Sequence, residues 1–201
     1  MKEKVNIRFV VLLLIIVLVG AWRILTASSE LSAWSNFSPI GAMALFGGSY
    51  FMQRYKSYLF PLLVLFLSDF VLMQTIYAQY GNGILYDQWY WTYGSFALMV
   101  LIGEVLIKKV SFKSVLMGSI AAGLVHYVFS NFGVWLKGGI DPVNGLPYTR
   151  DLGGLINCYI AAIPFFKNLL LGNMVFGALL FGGFELARSK FEILNSEIKQ
   201  A

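Results

Sequence analysis

Long apolar stretches constrain this chain more than any other feature of its sequence. Phe9 to Ala21, which continues to about Thr26 past Trp22 and Arg23, and Phe166 to Ala187 are two of them. A helix needs about 20 such residues to cross about 30 Å of hydrocarbon, within a range of about 17–25. Composition agrees, because 58% of the 201 residues are apolar and only 12% are charged, against about 45–50% and about 25% in soluble domains. The sequence therefore predicts an all-α membrane protein that forms a single polytopic domain, residues 1–201.

The apolar stretches predict about six transmembrane helices. The last stretch, Leu152 to Leu186, is too long for one crossing and contains Pro164. Residues 152–163 are therefore expected to form a short interfacial or re-entrant helix at the outer face, within an outer, lid-like segment, residues 137–164. The predicted spans cover residues 9–26, 37–53, 58–77, 92–107, 113–136 and 166–187.

The first span has a second interpretation as a secretory signal peptide. It has a basic start, an apolar centre and then the small residues Ala27 and Ser28, which is the order found in such peptides. Leu25 fits poorly into the small-residue cleavage pattern. A retained helix is the preferred interpretation, and cleavage is the alternative.

The basic residues predict how the helices are oriented. Most of them fall at alternate ends of successive apolar stretches, and the side of a membrane protein that is richer in lysine and arginine faces the cytoplasm. Both termini are therefore expected inside a bacterial inner (cytoplasmic) membrane, and this scattered distribution does not favour nucleic-acid binding. Eleven of the 15 basic residues form the cytoplasmic set: Lys2, Lys4, Arg8, Arg54, Lys56, Lys108, Lys109, Lys113, Arg188, Lys190 and Lys199.

Polar side chains from three predicted helices reach one level of the membrane. Asp69 lies roughly 18 Å and His126 roughly 20 Å from the cytoplasmic ends of their helices, and Asn173 lies about 10 Å from the outer end of its helix. Burying such groups in hydrocarbon costs a few kcal/mol each. We therefore expect an outward-facing basin that binds a small substrate. Its other expected members are Asn131, Lys167 and Asn168, with Asn36 and Trp135 nearby.

Several of these residues also have structural interpretations. Asp69 is expected to bind the substrate or relay a proton, to form a buried pair with His126 or Lys167, or to be protonated and hydrogen-bonded between helices. His126 and Asn131 are five positions apart, about 140° around a helix, so at most one of them is expected to point straight into a common pocket unless the helix is distorted. Among the remaining carboxylates, Glu104 is expected to pair with Lys108, and Glu185 with Arg188.

The sequence carries no recognisable catalytic or nucleotide-binding motif. With one histidine and one cysteine, no metal site and no cofactor are expected. The chain is therefore not expected to be an enzyme. An intramembrane enzyme that uses Asp69 and His126 is a less favoured alternative, and it requires these side chains to lie within about 3 Å of each other or of one water.

Small residues recur at helical spacing and predict close helix packing. Such faces either hold the bundle together or dock a partner. A non-transporting membrane assembly protein is therefore a second functional hypothesis. The faces comprise Gly41, Ala44 and Gly48, the pair Gly118 and Ala122, and the pair Ala178 and Gly182.

Four stretches resemble a family of uncharacterised bacterial integral membrane proteins: Asn36–Gly48, Leu67–Asp69, Ser130–Trp135 and Cys158–Asn168. The resemblance covers about residues 30–187. That family is similar in size and layout to the S components, the substrate-binding subunits, of energy-coupling-factor transporters.

The resemblance to S components implies an uptake subunit in the lipid bilayer. It would capture a vitamin-like molecule or metabolite from the outer face, with a membrane coupling subunit and ATPases as partners. Many S components carry an A-x-x-x-A docking pattern in the first helix. The nearest match in this sequence is Ala44 with Gly48, in the second predicted helix.

Overall fold

A computed structural model describes residues 6–27, 36–78 and 83–199 of the chain. The described residues form helices joined by short connections, which confirms the predicted all-α fold. In order along the chain, the elements are α1 (Ile7–Thr26), α2 (Ile40–Tyr50), α3 (Arg54–Gln74), α4 (Trp89–Leu106), α5 (Phe112–Leu136), α6 (Leu152–Lys190) and a 3-10 helix (Glu192–Lys199).

Four of the helices, α1, α3, α5 and α6, are long and apolar enough to cross a membrane. Helix α2 has 11 residues, and all of them except Ser49 are buried. This burial explains why α2 is apolar on every side, because a helix enclosed by others has no polar face to present. The described chain is therefore membrane-like, with α2 at the centre of the bundle.

Contacts between neighbouring helices show that α1 and α3 run in the same direction. The ring of Phe9 lies 5.3 Å from that of Phe60, and Arg23 contacts Asp69. Helix α4 runs the opposite way to α3, since Tyr93, near its start, also bonds Asp69.

Helices α2, α4 and α6 share the second direction. Gly41 of α2 lies against Asn173 of α6, and Tyr50 at the end of α2 donates a hydrogen bond to Glu185. Helix α5 is antiparallel to α6, because Ser119 bonds the carbonyl of Asn173, whereas Tyr127, later in α5, bonds that of Tyr159, earlier in α6. The last turns of α1, α3 and α5 and the first turns of α2, α4 and α6 therefore lie at the same end of the bundle. We call it the Arg23 end, and the opposite end the Arg8 end.

Two glycines bring α2 and α4 into backbone contact. A Cβ added to Gly48 would overlap the carbonyl oxygen of Val100, and one added to Gly103 would overlap that of Leu45. The predicted packing role of Gly48 is thereby explained. Gly182 differs, because a Cβ there would meet no atom within 4 Å.

Helix α6 differs from its prediction, since residues 152–163 do not form a separate short helix. They belong to a continuous helix of 39 residues that contains Pro164 and is roughly 58 Å long at 1.5 Å per residue. Proline removes one helical hydrogen bond, and contacts with α5 hold the preceding turns in line. Tyr159 donates to the carbonyl of Val128, and the Cys158 thiol donates to that of Asn131.

The connection between α5 and α6 is a compact turn. Ile140 and Pro147 form an isolated antiparallel bridge, and the Asp141 carboxylate accepts from the Val143 amide at 2.9 Å. Asp151 then caps α6 by accepting from the Gly154 amide at 2.7 Å. That hydrogen bond lowers the pKa of Asp151, because it favours the ionised carboxyl.

Two carboxylate pairs were predicted near the Arg8 end, and the structure contains one of them. The predicted pair of Glu185 with Arg188 is confirmed at 2.8 Å. Glu104 does not pair with Lys108, and its Oε2 lies 3.5 Å from the Nε of Arg54. The reason is that α4 ends at Leu106, so the helical spacing on which the prediction depended does not reach Lys108.

Candidate functional site

A buried ion pair joins α1 to α3 at the Arg23 end. The Nη1 of Arg23 lies 2.6 Å from Oδ1 of Asp69 and donates to the hydroxyl of Ser68 at 2.7 Å. Tyr93 donates to the second carboxylate oxygen, Oδ2, at 2.8 Å. Asp69 is only 2% exposed, so these contacts replace the water that its charge gives up.

The ion-pair partner of Asp69 is Arg23, which differs from the predicted pairing. The buried pair predicted for Asp69 with His126 or Lys167 is absent, and the partner is an arginine that the sequence analysis did not include in the site. A signal for it existed in the sequence. An arginine inside an apolar stretch needs a buried counter-charge, and Asp69 is the only carboxylate within the third predicted span, residues 58–77.

His126 is held by a short hydrogen-bonded chain from α4. Its Nδ1 lies 2.6 Å from the hydroxyl oxygen of Ser95, which in turn donates to the carbonyl of Thr92 at 2.7 Å. The imidazole also packs against the ring of Phe96, with centroids 5.4 Å apart. The position of the His126 ring is thus fixed from α4, and neither Ser95 nor Phe96 was predicted as part of the site.

Two adjacent cavities lie among these residues. The larger, which we call the Arg23 cavity, has a volume of about 230 Å³. The smaller, which we call the Asn131 cavity, has about 110 Å³ and shares Asn36, His126 and Leu169 with it. The Arg23 cavity is lined by Arg23, Asn36, Ser38, Ile40, Gly41, Leu65, Tyr86, Thr92, Phe96, His126 and Leu169.

Three of the predicted site residues line these cavities. Asn36 and His126 line both, and Asn131 lines the smaller one. That at most one of His126 and Asn131 points straight into a common pocket stays a prediction, since both residues line the Asn131 cavity while the Asn131 amide donates to the carbonyl of Tyr127. Tyr127 and Ser130, which lie between His126 and Asn131 in α5, also line the Asn131 cavity. The wall of this cavity therefore extends around α5 far enough to include both His126 and Asn131.

The other five predicted site residues line neither cavity. Asp69 pairs with Arg23, which does line the Arg23 cavity. Asn173 lies behind Gly41, which does line it, and the buried Oδ1 of Asn173 has no hydrogen-bond partner in the described chain. Lys167 is exposed and Asn168 is half-buried. Trp135 donates to the carbonyl of Thr149 at 2.9 Å, so its indole holds the connection between α5 and α6.

The loop before α4 contributes Tyr86 to the wall of the Arg23 cavity. Burial raises the pKa of this phenol, and the nearby Asp69 charge raises it further. Tyr86 is therefore neutral at pH 7 and offers a hydroxyl rather than a second negative charge.

The segment expected to be a lid contributes little to these walls. No residue of 137–151 lines either cavity, and Ala162 is the one member of 152–164 that does.

A third concave surface, the α5–α6 groove, lies at the Arg8 end. Its volume is about 630 Å³. Val115, Phe181, Ala178 and Gly182 are among its lining residues. Most of its wall is apolar, so it differs in chemistry from the two polar cavities.

Comparison with known proteins gives one result. Searches of curated proteins and of solved structures found no match. Residues 3–195, nearly the whole chain, match a family of unknown function, DUF6580. The chain therefore belongs to the DUF6580 family.

Proposed function

We propose that this chain is a multi-pass protein of a bacterial cytoplasmic membrane that binds a small solute from the outer face and serves its uptake. The Arg23 cavity is the observation that carries the proposal. It combines a half-buried, positioned cation with apolar walls and a few polar groups, which is the usual make-up of a small-molecule site.

The guanidinium of Arg23 retains hydrogen-bonding capacity. Asp69 and Ser68 engage its Nη1, which leaves three N–H groups, on Nε and Nη2, without a partner in the part of the chain described. Because arginine pairs well with planar oxyanions, these donors favour a ligand that carries a carboxylate. Asp69 acts in this account as a positioning residue that holds Arg23 in place.

The size of the Arg23 cavity limits the ligand. An engineered cavity of about 150 Å³ holds benzene, and the Arg23 cavity is larger, at about 230 Å³. The apolar parts of its wall, Leu65, Phe96 and Leu169 among them, provide burial for a ring or a similar hydrocarbon body. These features support a ligand with one ring and one carboxylate.

The orientation supports capture from outside. The basic residues that define the predicted cytoplasmic side include Arg54, Lys108 and Arg188, which lie at or next to the Arg8 end. The positive-inside rule then directs the Arg23 end outward. Because the chain has no ATP-binding motif, we propose that it works with a membrane coupling subunit and ATPases, as S components do.

Ligand-induced thermal stabilisation of the purified protein in detergent tests the proposal, with benzoate and other one-ring carboxylates as probes. We expect the Arg23→Gln/Asp69→Asn double variant to bind about tenfold or more weakly, since charge-assisted hydrogen bonds contribute about 1.5–3 kcal/mol. The double variant avoids leaving either charge buried alone.

Arg54→Gln/Glu104→Gln is the matched control, because it neutralises an ion pair at the Arg8 end without touching the cavity. It should bind the probes as wild type does. Equal stabilisation of wild type and the Arg23→Gln/Asp69→Asn variant would contradict the proposed site.

We also propose that the chain is not an enzyme. The alternative of intramembrane catalysis needs Asp69 and His126 to act on one substrate. Both oxygens of Asp69 are engaged by Arg23 and Tyr93, and His126 is bonded to Ser95. These partners support a binding role for the site.

The α5–α6 groove favours the second candidate, a membrane assembly protein. Ala178 and Gly182 lie in this groove, and space beyond Gly182 is open, so a helix of a partner could approach closely there. Gentle solubilisation and co-purification would test it. A partner that is lost in Gly182→Leu, is retained in Arg23→Gln/Asp69→Asn and lacks ATPase subunits would favour assembly over uptake.

A further inference from the structure

We infer that the solute carries two polar groups: an acceptor, such as a carboxylate, for Arg23, and an N–H or O–H donor for Nε2 of His126. This inference rests on the proposed function and narrows the substrate class of the same cavity. It follows from the chain of hydrogen bonds that determines which nitrogen of His126 carries the proton.

The hydroxyl of Ser95 sets the tautomer. It has one hydrogen, and its oxygen lies 2.7 Å from the carbonyl oxygen of Thr92 and 2.6 Å from Nδ1 of His126. A carbonyl can only accept, so Ser95 donates to Thr92 and must accept from His126. Nδ1 therefore carries the proton.

The other nitrogen, Nε2, is then an acceptor. No acidic side chain contacts His126 in the described ranges, and the ring packs against Phe96, so its neutral form is favoured in this site. Nε2 has no hydrogen-bond partner among the described residues, and His126 lines both cavities. Its lone pair is left for a donor from the ligand.

Arg23 and His126 thus require opposite hydrogen-bonding groups on one ligand, an acceptor for Arg23 and a donor for His126. The guanidinium can only donate, and this tautomer of His126 presents only an acceptor to the cavity. A simple hydrocarbon carboxylate satisfies the first residue and displaces water from the second without replacing its hydrogen bond, which costs affinity. The cavity is therefore complementary to a one-ring acid that also bears a hydroxyl, amino or amide N–H group.

Matched probes test the inference. The ortho, meta and para hydroxybenzoates have the donor, and the corresponding fluorobenzoates are close in size but lack it. We expect at least one hydroxybenzoate to bind about tenfold or more tightly than its fluoro partner, measured by calorimetry on the full chain in detergent.

Two variants test whether His126 and Ser95 cause the preference for the hydroxybenzoates over the fluorobenzoates. His126→Phe removes the acceptor while keeping a ring, so it should bind both members of each pair equally. Ser95→Ala removes the group that fixes the tautomer, so the preference should fall while binding of the fluorobenzoates persists. Ser49→Ala is the control, since Ser49 also bonds a carbonyl of its own helix but lies far from the cavity along α2.

The outcomes separate this inference from the proposed function. If hydroxy and fluoro probes bind wild type equally, and both bind the Arg23→Gln/Asp69→Asn variant weakly, the donor requirement is overturned and the carboxylate site stands. Unchanged preference in His126→Phe also overturns it. If no probe in the panel binds, the inference and the proposed substrate class fall together.

Discussion

Replacing Asp69 by alanine is expected to lower the free energy of unfolding by about 3–5 kcal/mol, the usual cost of removing one partner of a buried ion pair. Arg23, whose side chain is 15% exposed, would keep its charge after losing its carboxylate partner. Tyr93 would also lose the acceptor for its hydroxyl. Reversible unfolding in mixed micelles of sodium dodecyl sulfate and a mild detergent measures the change.

Glu104→Ala provides the control for Asp69→Ala. Its partner Arg54 is 74% exposed, and pairs of this kind contribute at most about 1 kcal/mol. The two substitutions remove the same chemical group from opposite ends of the bundle. Equal effects of about 1 kcal/mol would mean that Asp69 is not buried against Arg23.

The second large effect is expected at the α2–α4 contact. Gly48→Ala and Gly103→Ala should each destabilise the fold by about 1–3 kcal/mol or more, the cost of overpacking. The added methyl group would meet a backbone carbonyl in each case, and backbone atoms inside a helix cannot rotate away as a side chain can. The same unfolding assay measures both variants.

Gly182→Ala and Gly183→Ala are the matched controls, because no atom lies within 4 Å of either added Cβ. Alanine is favoured over glycine in a helix by about 0.5–1 kcal/mol, so both should be neutral or slightly stabilising. Destabilisation by all four substitutions to the same degree would contradict close contact between α2 and α4.

The sequence predicted the helices well because their signal is local. Apolar runs of about 20 residues indicate a membrane-spanning helix regardless of what packs against them. The predicted span 113–136 differs from Phe112–Leu136 by one residue. The break at Pro164 was predicted wrongly because the contacts of Cys158 and Tyr159 with α5 are tertiary, and local proline rules do not include them.

The site was predicted only in part. Counting helical rise placed Asp69, His126 and Asn173 at one level of the membrane, and of the three only His126 lines a cavity. The direction of each side chain around its helix was harder to predict. Lys167 is therefore exposed, and Asn173 faces Gly41 instead of lining the cavity.

The ion-pair and hydrogen-bond partners of the site residues were the least predictable part of the site. Asp69 had several conceivable counter-charges, and the choice of Arg23 depends on α1 packing beside α3 in parallel. Ser95 gave no signal of its own, because a serine in a helix commonly bonds a carbonyl of that helix. Its additional contact with His126 arises from the antiparallel packing of α4 and α5.

The accessibility of Thr92, on the wall of the Arg23 cavity, tests whether this cavity opens to the outside of the cell. In a Cys158→Ala background, which has no other cysteine, Thr92→Cys should react with a membrane-impermeant thiol reagent added outside intact cells. Benzoate-type probes that bind should slow this reaction. Ser111→Cys, which is exposed near the Arg8 end, should react only in inverted vesicles. Labelling of Thr92→Cys from the cytoplasmic side alone would contradict a cavity that receives its solute from outside.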